Sequence, residues 1–169
     1  MTKLLIAYTT AAGSTAEVAE AIGQEMAQGN GTVDVRPTKE VANLDGYSAV
    51  VVGTGIRAGK VYRDTLAFLE RHQAALAGLP VAYFVVCLTM AEDTEENRRE
   101  VETYVDQMRQ KAPQVQPVDV GLFAGKMDLQ TLPWLLRLLL KAMKRDEEGD
   151  FRDWDAIRAW AAGLRPALS

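Results

Sequence analysis

Short apolar runs alternate with helical patterns along the whole chain, and few folds accept that alternation. Lys3-Leu4-Leu5-Ile6-Ala7-Tyr8 reads as a buried strand, and from Thr15 to Ala27 the residues Val18, Ala19, Ile22 and Met26 recur at helical spacing. Val33 to Pro37 alternates as an edge strand does, with Pro37 ending it. Ala49-Val50-Val51-Val52-Gly53 and Pro80 to Cys87 are continuous apolar runs, the pattern of parallel strands covered on both faces. Between them a helix is predicted from about Tyr62 to Ala77, with Leu66, Leu69 and Leu76 on one face. Another begins at Asp93-Thr94-Glu95-Glu96, carries Val101, Tyr104, Val105 and Met108, and stops before Pro113. Val118 to Leu122 supplies a fifth strand. After it come a helix from about Leu132 to Lys144, a charged turn from Arg145 to Asp150 and a closing helix from Asp153 to about Gly163. With right-handed crossovers this alternation builds a three-layer α/β domain around a parallel sheet, with ligands expected at the carboxyl ends of the strands.

A chain of 169 residues that is 48% hydrophobic suffices for one packed domain, expected to span residues 1–169. Its formal charge of -4 and pI near 5.1, without a basic run, argue against a nucleic-acid binder. The single cysteine, Cys87, excludes an intramolecular disulfide, and with one histidine, His72, little remains for a zinc site or a histidine-based triad. Cys87, at the end of an apolar strand, is expected in the core, and His72, among charged neighbours, on the surface. The start shows no leader pattern, and no apolar run is long enough to span a bilayer, so a reducing cytosol is expected.

Three loops follow the strands expected at the centre of the sheet: Thr9 to Thr15, Gly53 to Lys60 and Leu88 to Asp93. The first joins a strand to a helix start with Thr9, Thr10, Ser14 and Thr15, and holds no Lys or Arg. Such a turn gathers backbone N–H groups, hydroxyls and a helix dipole at one point, which suits a phosphate. Ser14 with Glu17 also satisfies a capping-box pattern, so a plain capped connection is the competing reading. Glu92 and Asp93 fit helix-capping acids as well as a role near a ligand. A phosphoacceptor receiver would need acids where Thr9-Thr10 and Gly53-Thr54 stand, and a Walker loop would need Gly-Lys-Ser/Thr. Gly53-Thr54-Gly55-Ile56-Arg57-Ala58 spells a dinucleotide-type motif, but it follows the third strand, and no acid ends the next one. What remains suits a mononucleotide with a planar head such as a flavin, whose chemistry the loops would tune.

Thr9-Thr10-Ala11-Ala12-Gly13-Ser14-Thr15 resembles the phosphate loop of the flavodoxins. The chain is similar, more narrowly, to the flavodoxin-like, menaquinone-dependent protoporphyrinogen IX dehydrogenases. Gly53-x-x-Ile56-Arg57-x-Gly59 resembles their second loop, Phe123 to Asp128 the segment before their extra helix, and Asp153-Trp154 their C-terminal element. The resemblance implies a flavodoxin-like sandwich with five parallel strands in the order 2-1-3-4-5. It also implies FMN, held by Thr9 through Thr15, by Thr54, Gly55, Ile56, Arg57, Ala58 and Gly59, and by Leu88, Thr89 and Met90. The hydroxyls of Thr10, Ser14 and Thr15 are expected on the phosphate. Two departures stand out. Flavodoxins commonly stack an aromatic on each face of the flavin, whereas Leu88 to Asp93 contains none and the nearest aromatic beside the second loop is Tyr62. Flavodoxins are also usually more acidic, because they dock on basic redox partners.

The segment from Leu132 to Lys144 is apolar apart from Arg137, Lys141 and Lys144, which share one stripe. A wide apolar face with a basic stripe and a Trp is the make-up of a helix lying in a membrane surface, and the resemblance points the same way; burial against the sheet or a second subunit is the alternative. Arg57, Lys60, Arg63 and Lys126 are candidate partners for substrate carboxylates, or solvated cations. The function these features imply is an FMN oxidoreductase carrying electrons from a reduced tetrapyrrole or other organic donor to a quinone, a step of heme biosynthesis in the family it resembles. No catalytic acid or base is assigned. An electron carrier between redox proteins is the alternative, and a binding module without FMN a third.

Overall fold

The computed structural model describes residues 2–11, 13–29, 31–127, 134–142 and 149–168. Five parallel strands form its sheet: β1 (Thr2–Thr9), β2 (Gly31–Pro37), β3 (Ala49–Arg57), β5 (Val81–Cys87) and β6 (Asp119–Ala124). They lie in the order β2-β1-β3-β5-β6, and the two-residue β4 (Lys60–Val61) pairs antiparallel with the end of β3. Counting only the parallel strands, this is the expected 2-1-3-4-5 order.

The continuous apolar runs behave as their composition demands. Every residue of β5 is buried, and so is β3 from Ala49 to Gly55. Alternate residues of each strand feed opposite cores. Leu5, Ala7, Val50, Val52, Tyr83 and Val85 meet α2 (Arg63–Arg71), α3 (Gln73–Ala77) and α4 (Glu95–Lys111) on one face. Leu4, Ile6, Ala49, Val51, Phe84 and Val86 meet α1 (Ser14–Met26) and α6 (Trp154–Leu168) on the other. One close approach is fixed by sequence. A Cβ on Gly53 would lie 1.9 Å from Cζ of Phe84, its register partner on β5, so the aromatic ring occupies the space that glycine leaves.

The structure departs from the sequence reading at several places. The stretch Gly53 to Lys60 is not a flexible loop. β3 continues to Arg57, and a two-residue turn at Ala58 (φ 52°) and Gly59 (φ 73°) returns the chain to β4, the positive-φ pair that tight hairpins favour. The predicted helix from Tyr62 to Ala77 is two helices that break at His72. Far from being a surface residue, His72 is buried against the Phe68 ring, 4.8 Å between centroids. Ser14 is not a cap: Gly13 takes that position in the left-handed region at φ 92°, and Ser14 is the first helical residue. Nor does either acid cap α4. Thr94 does so, accepting from Asn97 N–H at 3.1 Å, while Asp93 pairs with Arg98. The closing helix runs to Leu168. Of the predicted helix from Leu132 to Lys144, α5 (Trp134–Ala142) is described; Leu132, Pro133, Met143 and Lys144 lie outside the described residues.

Two outcomes follow from this packing. Gly53→Ala has to displace Phe84 from a core with no slack, and should cost about 3 kcal/mol of unfolding free energy in urea titration. Burial, followed by the charge of Arg71, holds the His72 imidazole below its usual pKa of 6.5, and the Arg71 Nε–H donates to the neutral ring nitrogen Nε2 at 3.2 Å. In that situation the unfolded chain binds the extra proton first. The stabilisation is therefore complete above the unfolded value and is lost as pH falls through the lower folded one. The thermal midpoint should drop between about pH 7 and pH 5, and His72→Gln should flatten that drop.

Candidate functional site

The strand order reverses at β1 and β3, and a cavity of about 140 Å³ opens at the carboxyl ends of the strands there. Thr10, Ala11, Ser14 and Thr15 line it from the first turn, Gly55 and Ile56 from β3, and Leu88 from the 3-10 turn after β5. The three segments predicted to converge do converge.

The first turn is built to leave donors free. Thr10 Oγ1 accepts the Gly13 N–H at 3.0 Å, holding the left-handed residue that starts α1. Gly13 brings no side-chain acceptor, and the first intrahelical bond runs from Glu17 N–H to Gly13 O at 3.1 Å. The N–H groups of Ser14, Thr15 and Ala16 therefore precede the helix's own ladder and point out of its positive end. Gly55 faces this turn across the cavity. A Cβ there would come within 3.0 Å of both Thr15 Oγ1 and the Tyr62 ring, so the glycine keeps the gap between turn and ring open.

The remaining predicted residues are placed elsewhere. Thr9 Oγ1 is hydrogen-bonded to Thr38 Oγ1 at 2.8 Å, and buried Thr54 donates to the Gly55 carbonyl and accepts from Thr65 Oγ1. Arg57, Ala58 and Gly59 form the exposed hairpin tip. Buried Met90 lines a different hollow, along β6, and half-buried Thr89 lines neither. Ala12 lies outside the described residues. Conversely, Tyr62, Val86, Cys87 and Gly125 line the cavity without having been assigned to a cofactor, and Lys126, a candidate partner for substrate carboxylates, lines it too. The signal that points to Val86, Cys87, Gly125 and Lys126 is their place at the ends of the fourth and fifth parallel strands. Burial raises the Tyr62 phenol and the Cys87 thiol above their ordinary values, so both are neutral near neutral pH.

Among the described residues one cation, Lys126, borders the cavity. It lies in β7 (Lys126–Met127), paired antiparallel with β8 (Gly149–Asp150) in the register Lys126 to Asp150, so the two strands form a narrow neck beside the site. Arg152 anchors that neck. Its guanidinium, with only 4% of the side chain exposed, donates to both Asp150 oxygens at 2.8 and 2.7 Å and also pairs with Glu17 in the first turn of α1. The same group stacks 4.5 Å over the Trp154 ring at the start of α6. The Arg152 hydrogen bonds are the main reason that the Asp150 carboxyl is lowered to about 2.

A family profile described as Flavodoxin domain matches residues 5–153. The chain belongs to that family. It is 24% identical over 172 aligned residues to the protoporphyrinogen IX dehydrogenase [quinone] of Leishmania major, covering 95% of this chain and 73% of that protein. The protein of the same name from Escherichia coli strain K12 is 23% identical, with 94% of this chain and 92% of that one covered. Oxidised Flavodoxin 1 from Bacillus cereus superposes with a TM-score of 0.63 at 14% identity, covering 99% of this chain and all of the other. Membership indicates FMN as the cofactor.

The residues fit that group. A dianionic phosphate suits the free N–H groups of α1 with the Thr10, Ser14 and Thr15 hydroxyls, and the gap kept by Gly55 leaves room beside the Tyr62 ring. The cavity is smaller than the ~300 Å³ or more of a whole-ligand pocket, so it would hold only part of a mononucleotide. Gly55→Val should fill the gap and weaken FMN binding by at least about tenfold, a loss of ~1.4 kcal/mol, in fluorescence titration of the apoprotein.

Proposed function

We propose that this protein is an FMN-dependent oxidoreductase that takes reducing equivalents from a reduced tetrapyrrole, or a similar organic donor, and passes them to a quinone. The observation that carries the reading is the alignment with the two quinone-linked dehydrogenases over 94–95% of the chain. A stretch that long includes most of the excursion between β7 and β8. When bound, FMN supplies the electron transfer; this chain supplies the cradle at Thr10, Ser14 and Thr15, the neutral walls at Ile56, Tyr62 and Leu88, and the cation Lys126.

The excursion also suits an apolar acceptor. On α5, Trp134, Leu135, Leu138 and Leu139 are each more than half exposed. Among the described residues no helix is long and apolar enough to cross a membrane. The exposed apolar residues of α5 favour, in this reading, a cytoplasmic protein that touches the inner face of the bilayer there. Membership of the flavodoxin family supports a second reading, a carrier passing electrons between redox proteins.

The decisive measurement is oxidation of protoporphyrinogen by the FMN-loaded protein with a menaquinone analogue as acceptor. Turnover that depends on both is expected. An FMN-loaded protein that shows none would favour the carrier, and a colourless protein that takes up no FMN would remove both readings.

A further inference from the structure

The charges around the cradle are distributed unevenly, and one side chain accounts for it. Two acidic residues neighbour the lining in the backbone without lining the cavity themselves: Glu17 on the first turn of α1, whose own N–H closes the Gly13 turn, and Asp150, the ladder partner of the cavity-lining Lys126. Left alone, the first would repel an anion at the helix start and the second would draw Lys126 into an ion pair. Neither is left alone. Arg152 holds both at once, grips Asp150 through two separate hydrogen bonds, and is itself fixed by Trp154. Arg152 takes the hydrogen bonds of Asp150, so that Lys126 makes no ion pair with a described residue and its charge is only the least of the influences that lower the Asp150 carboxyl. The alternative use for this arginine, direct contact with a ligand, conflicts with its 4% exposure and absence from the cavity lining.

We propose that Arg152 is a positioning residue for cofactor specificity: by holding Glu17 and Asp150, it leaves the start of α1 and Lys126 available to a dianion, so that binding favours a phosphorylated flavin over an unphosphorylated one. The proposal rests on the FMN reading of the cavity. It assigns Arg152 no contact with the cofactor. Its effect passes through the two carboxylates, which makes it separable from a simple role in stability: a loosened neck would weaken any flavin, whereas an unmasked carboxylate weakens only the charged one.

The test is a titration of the apoprotein with FMN and, separately, with riboflavin, which lacks the phosphate, followed by flavin fluorescence. Arg152→Gln should raise the FMN dissociation constant about tenfold and the riboflavin constant less than about twofold, the selectivity expected of an exposed-side charge acting over a short distance. Adding Glu17→Gln to that variant should restore most of the FMN affinity, although Glu17→Gln alone in the wild-type background should change little. The FMN loss should also shrink at high salt. Equal losses for both flavins, or no rescue by Glu17→Gln, would overturn the proposal. Should Arg152→Gln not fold, Arg152→Lys retains the charge but not the two-point grip; it should lose FMN affinity selectively and more mildly, and an equal loss for both flavins would again count against the idea. A wild-type apoprotein that binds neither flavin would instead remove the FMN reading itself, and this proposal with it.

Discussion

Burial of the central strands on both faces is the constraint from which the rest of this molecule follows. β5 has no exposed residue, and the buried side chains of β1 and β3 alternate between two cores, so helices have to cover both sides of the sheet. Right-handed crossovers then send successive helices to opposite faces wherever the strand order reverses, which here is between β1 and β3. A crevice at that point is a geometric by-product of covering the sheet. The cavity stands there because the apolar runs lie where they do, and only its lining is left for the loops to decide.

That lining is nearly neutral. It combines hydroxyls, backbone N–H groups, apolar walls and one lysine, in surroundings where the nearby carboxylates are already engaged. An anion placed there would be met by oriented dipoles more than by opposite charges. Dipoles are fixed in place by the fold, lose little entropy on binding and are less sensitive to salt than exposed ion pairs. The design ties recognition of the ligand to the integrity of the strand–turn–helix unit itself.

The sheet and most helices were legible in the sequence because their signal is periodic and local. What escaped depended on contacts between distant segments. Gly53-Thr54-Gly55 reads as loop, since glycine is poor in strands, yet Phe84 fills the space beside Gly53 and Thr65 satisfies the Thr54 hydroxyl, and these hold the segment in β3. His72 has charged sequence neighbours, but the fold gives it the Phe68 ring. Ser14 and Glu17 match a capping box, but a left-handed Gly13 took the cap and Glu17 turned to Arg152, 135 residues away. The site shows the same division. The side of the cavity formed by one short segment, with Thr10, Ala11, Ser14 and Thr15, was readable, whereas Val86 and Gly125 carry no chemistry of their own and enter through the pairing of β5 with β6 and the Gly125 N–H bond to the Cys87 carbonyl that follows it.

The neck formed by β7 and β8 has a bearing on how this fold can vary. Two residues on each side close the excursion, so its ends meet beside the sheet whatever lies between them. The entropy of closing such a loop grows only with the logarithm of its length, about 0.6 kcal/mol for each doubling. Segments of quite different length and composition can therefore be carried at this point with little thermodynamic effect on the sheet. The neck works as a socket: the sheet and the cavity at its strand ends can stay constant while the segment between β7 and β8 is exchanged.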